Sequence, residues 1–555
     1  MGKGRRSYTI NTPALSLTPP RSSADHSFSV SPPEFLKSHL KNDMLNAAVS
    51  EATPTAAQRR NSVAKQKSYD DLEHQLEATP LYVLISTYLN YFLLICFGHL
   101  RDILGKIFKR NDYKHLLNNE GYAPLVADFD SFYTRRLYIR IRDCWNRPIT
   151  GVASRTVQLL ERVSYDYNRT FSLTGKINET INFASYNYLG FAQSSGPCAD
   201  AVEESINKLG TVTCSPRGEA GSSDIHTELE RLTARFVGKE DAMIVSMGFA
   251  TNSTTIPALV GKGCLIISDE LNHASLIFGA RLSGASVRVF QHNNMQNLRE
   301  LLREVISQGQ PRTHRPWKKI LVVVEGLYSM EGTIVNLPEL VVLKKEFKFY
   351  LYVDEAHSIG ALGENGGGVC DFFGVDPADV DILMGTFTKS FGAAGGYIAG
   401  DKAVIDHLRL KNHAYQYAES ISVPVAQQVI TSTKIICGED GTDDGRRRIK
   451  QLAENSLYFA ARLRELGFIV YGDQGSPVVP LLLFNPAKIP AFSRELLRHG
   501  VAVCVVGYPA TPIITSRARF CLSASHTKDD IDCALNIISE VGDRLLLKVS
   551  QSKNQ

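Results

Sequence analysis

The stretch Gly385–Tyr397, GTFTKSFGAAGGY, sets one lysine, Lys389, among glycines, alanines, hydroxyls and aromatics, with no acidic residue to pair with it. An amine in such company loses hydration when charged, so its pKa falls. A lysine with a lowered pKa is a side chain suited to attack a carbonyl and form a Schiff base. What Lys389 does therefore depends on what the fold brings to it.

Upstream of it, short apolar runs recur: AMIVSM (242–247), CLIIS (264–268), ILVVVEG (320–326), FYLYVDE (349–355) and DILMGT (381–386). Helical patterns such as NLRELLREVISQ and LPELVVLKKEF separate them. Apolar runs alternating with helices predict an α/β domain over 161–426, its mainly parallel sheet covered by helices on both faces. A smaller α+β unit is expected over 427–545, then a tail over 546–555.

Sheets of this kind bind ligands at the carboxyl ends of their strands. Asp354 and His357 follow FYLYV in DEAHSIGALG, His273 follows CLIIS in DELNHAS, and Glu325 ends ILVVV. Gly248 and Phe249 follow AMIVSM at a turn into a helix, whose bare N–H groups suit an anion. The last run delivers Thr386 and, three residues on, Lys389. Taken singly, such residues are helix caps, satisfied structural histidines or turns. Their convergence on one sheet edge makes the difference. Pyridoxal 5′-phosphate (PLP) needs a lysine for its aldehyde, a carboxylate for its ring nitrogen, an anion cradle and a group flat against the ring. Lys389, Asp354, the helix start at Gly248 with Thr386, and His273 would supply these. The small residues after Lys389 are expected to let the backbone approach the cofactor closely.

GTFTKSFGAAGGY, DEAHSIGALG, DELNHAS, EGLYSMEG and SRARFCLSASHT together resemble the α-oxoamine synthases, over about Phe183 to Val541. FYTRRLYIRIRDCWNRPI and HRPWKKI are similar to the eukaryotic long-chain-base branch of that family. The resemblance implies a PLP-dependent transferase of fold type I with a seven-stranded sheet. It implies that Lys389 carries the cofactor and moves protons, that Asp354 holds the ring nitrogen protonated, and that His357 bonds the phenolic oxygen. His273 would stack on the ring, while Gly248, Phe249 and Thr386 would contact the phosphate. Arg519 matches the arginine that binds substrate carboxylate, with Arg517 two residues away left open, and Asn187 in SYNYLG matches a substrate-side asparagine. The implied reaction is a decarboxylating condensation of L-serine with palmitoyl-CoA to 3-ketosphinganine. The implied assembly is a heterodimer with a lysine-less paralogous subunit. Two departures stand out: Met247 replaces a small polar residue, and Ser215-Pro216 replaces Gly-Ser ahead of Arg217. Three other readings fit part of the pattern. They are a 5-aminolevulinate synthase, which would need a mitochondrial presequence; a soluble relative with a short acyl donor; and a non-catalytic scaffold, which would lack the lysine.

The N-terminal side is of another kind. Residues 1–70 are rich in Ser, Thr and Pro and read as a disordered tail, with RRNSV (59–63) a candidate kinase site. ATPLYVLISTYLNYFLLICFGHL (78–100) holds no Asp, Glu, Lys or Arg, and about 20 such residues match a bilayer as a helix. A spanning helix, an in-plane helix and a buried core helix all fit. RDILGKIFKR opens an amphipathic linker over 101–160. Basic residues after the apolar run and acidic ones before it place the bulk of the chain in the cytosol, on the endoplasmic reticulum membrane that the resemblance implies. A net charge of +4, from 61 basic and 57 acidic residues, is too balanced to argue for nucleic acid. The ten cysteines show no zinc spacing and read as free thiols, and no metal is expected.

Overall fold

The computed structural model of the chain describes residues 69, 77–108, 113, 121–123 and 128–551. The tail expected over 1–70, with RRNSV, lies outside them except for Tyr69.

With no proline and no charge before Arg101, the chain runs as one helix from Leu81 to Phe108. By length and composition this helix could cross a membrane. Val83, Thr87, Tyr91, Gly98 and Asp102 are buried in a stripe along it. Val83 packs with Ile469, Leu482 and Phe484. Gly98 lies against Phe132, whose ring a Cβ would meet at 2.8 Å. Asp102 takes the guanidinium groups of Arg135, at 2.8 Å, and Arg136. The stripe spans most of the helix, so the helix lies flush along the body rather than standing away from it. Leu81, Ile85, Leu89, Phe92 and Phe97 remain exposed on its other sides.

The region read as linker holds more structure than expected. β1 (Ile149–Thr150) pairs with β2 (Thr156–Val163), and β2 with β3 (Ser172–Asn182), both antiparallel. The central sheet follows: β4 (Asp241–Val245), β5 (Leu265–Asp269), β6 (Ser286–Phe290), β7 (Ile320–Glu325), β8 (Tyr350–Asp354), β9 (Ile382–Thr386) and β10 (Gly396–Gly400). Its order is β4-β10-β9-β8-β7-β5-β6. Neighbours run parallel except at β10, which is antiparallel to β4 and β9. Apart from the edge strand β6, whose middle is exposed, the strands are apolar on both faces because helices cover both. Two buried clusters flank the sheet, one built on Ile244, Ile267, Val322 and Val353, the other on Met243, Ile266, Val323 and Tyr352.

The reversal into β10 explains the glycines after Lys389. Gly395 has φ +87°, and a Cβ there would stand 2.7 Å from the carbonyl oxygen of Val245. That position therefore serves backbone packing between β4 and β9.

The smaller unit holds β11 (Val478–Leu482), β12 (Val501–Ala502), β13 (Cys504–Val506) and β14 (Arg517–Cys521). Three of these form an antiparallel sheet in the order β11-β14-β13. β12 instead pairs parallel with β3, so the segment before the central sheet joins the C-terminal unit. The helix Val423–Cys437 packs on the helices Pro197–Leu209, Asp224–Val237 and Asp444–Glu465. The described end of the chain is not a free tail: Ser550 donates its hydroxyl to Glu77 at 2.7 Å and its N–H to Gly467 O at 3.1 Å.

Candidate active site

β4, β8 and β9 end at one edge of the sheet, and the loops there bring the chemistry together. Lys389 follows β9, and its Nζ donates to Thr386 Oγ1 at 3.3 Å. Burial of the amine pushes its pKa down to about 8, against opposing pulls from Asp354 and Glu325. The lone amine of the sequence thus has carboxylates near it after all, supplied by the ends of β8 and β7.

Asp354 ends β8 and is 3% exposed. Its Oδ2 accepts from Asn252 Nδ2 at 2.7 Å and its Oδ1 from the Ala356 N–H at 2.9 Å. Asn252 belongs to the helix Gly248–Leu259, one turn in from the start that Met247 leaves without a side-chain cap. A Cβ on Gly248 would lie 3.2 Å from Thr386 Cγ2. One helix therefore carries both the Asp354 partner and an uncapped N-terminal end of the kind that suits an anion, and a side chain at position 248 would crowd Thr386.

His273 precedes the helix Ala274–Ser283 and caps it: its Nδ1 accepts from the Ser275 N–H at 3.3 Å. The N–H of His273 is bonded to Glu325 Oε1. Ser275 Oγ accepts from Asn252 at 2.9 Å and contacts His273 Nδ1 at 2.8 Å. Asn252 thus joins Asp354 to His273. His357 is buried, bonded through Nδ1 to the Tyr188 hydroxyl at 2.8 Å, and burial holds its pKa well below the usual imidazole value. Phe249 lies edge-on to His273 with centroids 6.3 Å apart.

Arg519 and Arg517 part company. Both are on β14, but Arg517 is neutralised by Glu331 at 3.3 Å and bonded to Met330 O and Thr515 O, each at 2.7 Å. Arg519 has no carboxylate partner among the described residues. It contacts the Tyr186 hydroxyl, Met330 Sδ at 3.7 Å and Cys504 Sγ at 3.8 Å, and its buried Nε has no partner there. An unneutralised buried guanidinium is a site for an anion.

Two residues of this site, Tyr186 and Asn252, escape the sequence reading, and a third, Glu325, was seen without its contact. Tyr186 lies beneath both cations, its ring 4.8 Å from the Arg519 guanidinium and 5.8 Å from Lys389 Nζ, with His357 5.2 Å away edge-on. Its signal was the alternation Tyr186-Asn187-Tyr188, which turns the tyrosines one way and the asparagine the other. The Asn187 side chain points to Ala153 O at 3.4 Å and the Ala192 N–H at 3.2 Å, away from the cluster. Asn252, mid-helix, had no local signal. Glu325 stood at a strand end, but its bond to His273 needs the fold; burial pushes its pKa well above the usual carboxylate range.

PLP fits this set. Its phosphate suits the uncapped helix end beside Thr386, its ring nitrogen suits the Asp354 carboxylate, and its aldehyde suits Lys389. Arg519 would remain for a substrate anion.

Residues 178–538 match the family described as aminotransferase class I and II. The chain is 56% identical over 477 residues to serine palmitoyltransferase 2 of Schizosaccharomyces pombe, covering 86% of this chain and 79% of that protein. It is 53% identical over 493 residues to serine palmitoyltransferase 3 of Homo sapiens, covering 88% and 89%. Among solved structures it is similar to Sphingomonas wittichii serine palmitoyltransferase, with a TM-score of 0.67, 29% identity, and 76% and 99% of the two chains covered. A high-resolution SPT structure with PLP as internal aldimine gives a TM-score of 0.66 at 28% identity, covering 76% and 98%.

Proposed function

We infer that this chain, which belongs to the aminotransferase class I and II family and within it to the PLP-dependent serine palmitoyltransferases, condenses L-serine with palmitoyl-CoA to 3-ketosphinganine. One observation carries the assignment of roles: a lysine with a lowered pKa and an unneutralised buried arginine both lie beside the ring of Tyr186.

PLP, when bound, supplies an aldehyde that captures amines and a ring that takes up the electron pair released at the serine α-carbon. Asp354 would hold the ring nitrogen protonated. His357, kept neutral by burial, would bond the phenolic oxygen, and His273 would pack on the ring face. Arg519 binds the serine carboxylate. Lys389 amine, neutral in part at pH 7 because burial depresses its pKa, removes the α-proton. The α-carbon then bonds to the palmitoyl carbonyl carbon, and the carbon–sulfur bond to CoA breaks. The former serine carboxylate leaves as CO2, and Lys389 returns a proton to the same carbon.

Membrane association and a heterodimeric state belong to this reading. An acyl chain as long as palmitoyl favours membrane by about 0.8 kcal/mol per buried methylene, and the exposed apolar side of Leu81–Phe108 would hold the enzyme there. On the endoplasmic reticulum its catalytic bulk would face the cytosol. Met247, Phe249, Phe278 and Leu282 form an exposed apolar surface beside the Gly248 helix start, which supports a partner covering that face. That partner would be the lysine-less paralogue. The test is purification of the chain alone and with such a paralogue, followed by assay of CoA release with L-serine and palmitoyl-CoA. Turnover confined to the pair supports the reading; strong turnover by a homodimer removes the heterodimer, and none from either removes the activity.

A further inference from the structure

His292 follows β6 and packs edge-on against Tyr328, with ring centroids 4.4 Å apart. Its Nδ1 is 3.0 Å from Asp269 Oδ1, and its Nε2 is 2.8 Å from Thr333 Oγ1. Asp269 is buried at the end of β5 and also accepts the N–H groups of Leu271, at 2.9 Å, and Asn293, at 3.2 Å. A carboxylate only accepts, so Nδ1 turns its proton toward Asp269, and in the neutral ring Nε2 accepts from the Thr333 hydroxyl. The imidazole therefore bridges the end of β5 to the segment that follows β7.

That segment closes on itself. Tyr328 N–H bonds to Thr333 O at 2.9 Å and Gly332 N–H to Tyr328 O at 2.8 Å. Ile334 N–H bonds to Asp473 Oδ2 in the smaller unit at 2.7 Å. At the tip, Met330 meets both arginines of β14: its carbonyl accepts from Arg517 Nη1 at 2.7 Å, and its Sδ lies 3.7 Å from Arg519 Nη1. Direct contacts thus run from Asp269 through His292 and Thr333 to the loop, and from Met330 to Arg519. Arg519 is held by the Tyr186 phenol, Cys504 Sγ and Met330 Sδ, and of these Met330 alone belongs to the loop, so a displacement of the loop would take away that one contact.

We propose that His292 is a positioning residue for the carboxylate of the amino-acid substrate: by bridging Asp269 and Thr333 it holds the loop whose Met330 fixes the aim of Arg519. The proposal rests on Arg519 as the carboxylate-binding group.

The test titrates the PLP-loaded protein, with its partner subunit where one is needed, following the cofactor absorbance. One ligand is L-serine. The other is 2-amino-1,3-propanediol, which keeps the amine and hydroxymethyl group and has an alcohol in place of the carboxylate. His292→Ala and Thr333→Val raise the serine Kd about tenfold, the effect of one weakened hydrogen bond to a charged group. The diol Kd stays within about twofold, and Thr333→Ser restores serine binding. Thr333→Val changes one hydroxyl at constant shape and carries the test if His292→Ala does not fold. Arg519→Lys is the reference and weakens serine alone. If it discriminates while Thr333→Val weakens both ligands equally or neither, the role of His292 is wrong. If Arg519→Lys itself fails to discriminate, the reading beneath the proposal is wrong.

Discussion

The side-chain amide of Asn252 donates to Asp354 Oδ2 at 2.7 Å. The same nitrogen reaches Ser275 Oγ at 2.9 Å, and its oxygen accepts from the Tyr352 hydroxyl at 2.8 Å. The amide is therefore fixed at both ends and orients the carboxylate proposed to hold the cofactor ring. A hydrogen bond to a charged group is worth about 1.5–3 kcal/mol. Asn252→Ala should weaken PLP binding roughly ten- to a hundredfold, read from reconstitution of the cofactor-free protein. Unchanged affinity would show that Asp354 holds its orientation without Asn252.

Lys389 gives a pH prediction. Its pKa falls from an ordinary 10.5 to about 8 in the fold. Between those values the unfolded chain holds the extra proton and the folded chain does not, so unfolding takes up a proton. Stability attributable to this residue therefore rises as pH climbs through that window and is flat above 10.5. In the cofactor-free protein, Lys389→Met should lose that rise, seen in denaturant midpoints across the window. The rate of PLP capture should climb to about pH 8 and then level, where an ordinary lysine would keep gaining to 10.5. Loss of the side chain should lower turnover by at least about 10³-fold.

The large domain was legible because its strands are buried on both faces and so read as continuous apolar runs. Five of seven were visible in this way. β6, SVRVF, was missed because it lies at the sheet edge and alternates, and β10, GYIAG, because its glycines read as loop. Lys389, Asp354, His273 and His357 announced themselves by sitting at strand ends. Glu325 stood at a strand end too; Tyr186 and Asn252 did not announce themselves, because their contacts join residues 333 and 102 positions apart. The choice between Arg517 and Arg519 was closed to sequence for the same reason. Both point inward from one strand, and only the position of Glu331 tells them apart.

That difference makes the two arginines separable by experiment. Arg517, 2% exposed, is paired with Glu331. Removing one member of a buried pair costs about 3–5 kcal/mol, while replacing both with apolar groups is often neutral. Arg517→Met should lower the unfolding midpoint sharply, and Arg517→Met with Glu331→Met should recover most of the loss. Arg519→Lys should leave the midpoint nearly unchanged and raise the KM for serine. Reversed outcomes would assign the carboxylate to Arg517.

The apolar helix yields the last prediction. Leu89 and Phe92 are 55% and 62% exposed, whereas Val83 is buried against Ile469, Leu482 and Phe484. An aspartate moved into hydrocarbon costs on the order of 3 kcal/mol, so Leu89→Asp with Phe92→Asp should shift the protein from vesicles to the soluble fraction in flotation assays. Neither residue touches the body's core, so the unfolding midpoint should not move. Val83→Asp should do the opposite, lowering the midpoint through a charge buried at the helix–body contact while the exposed face still binds vesicles. If the double variant floats as well as the parent, the exposed face is covered by protein rather than lipid, and the helix is a subunit contact.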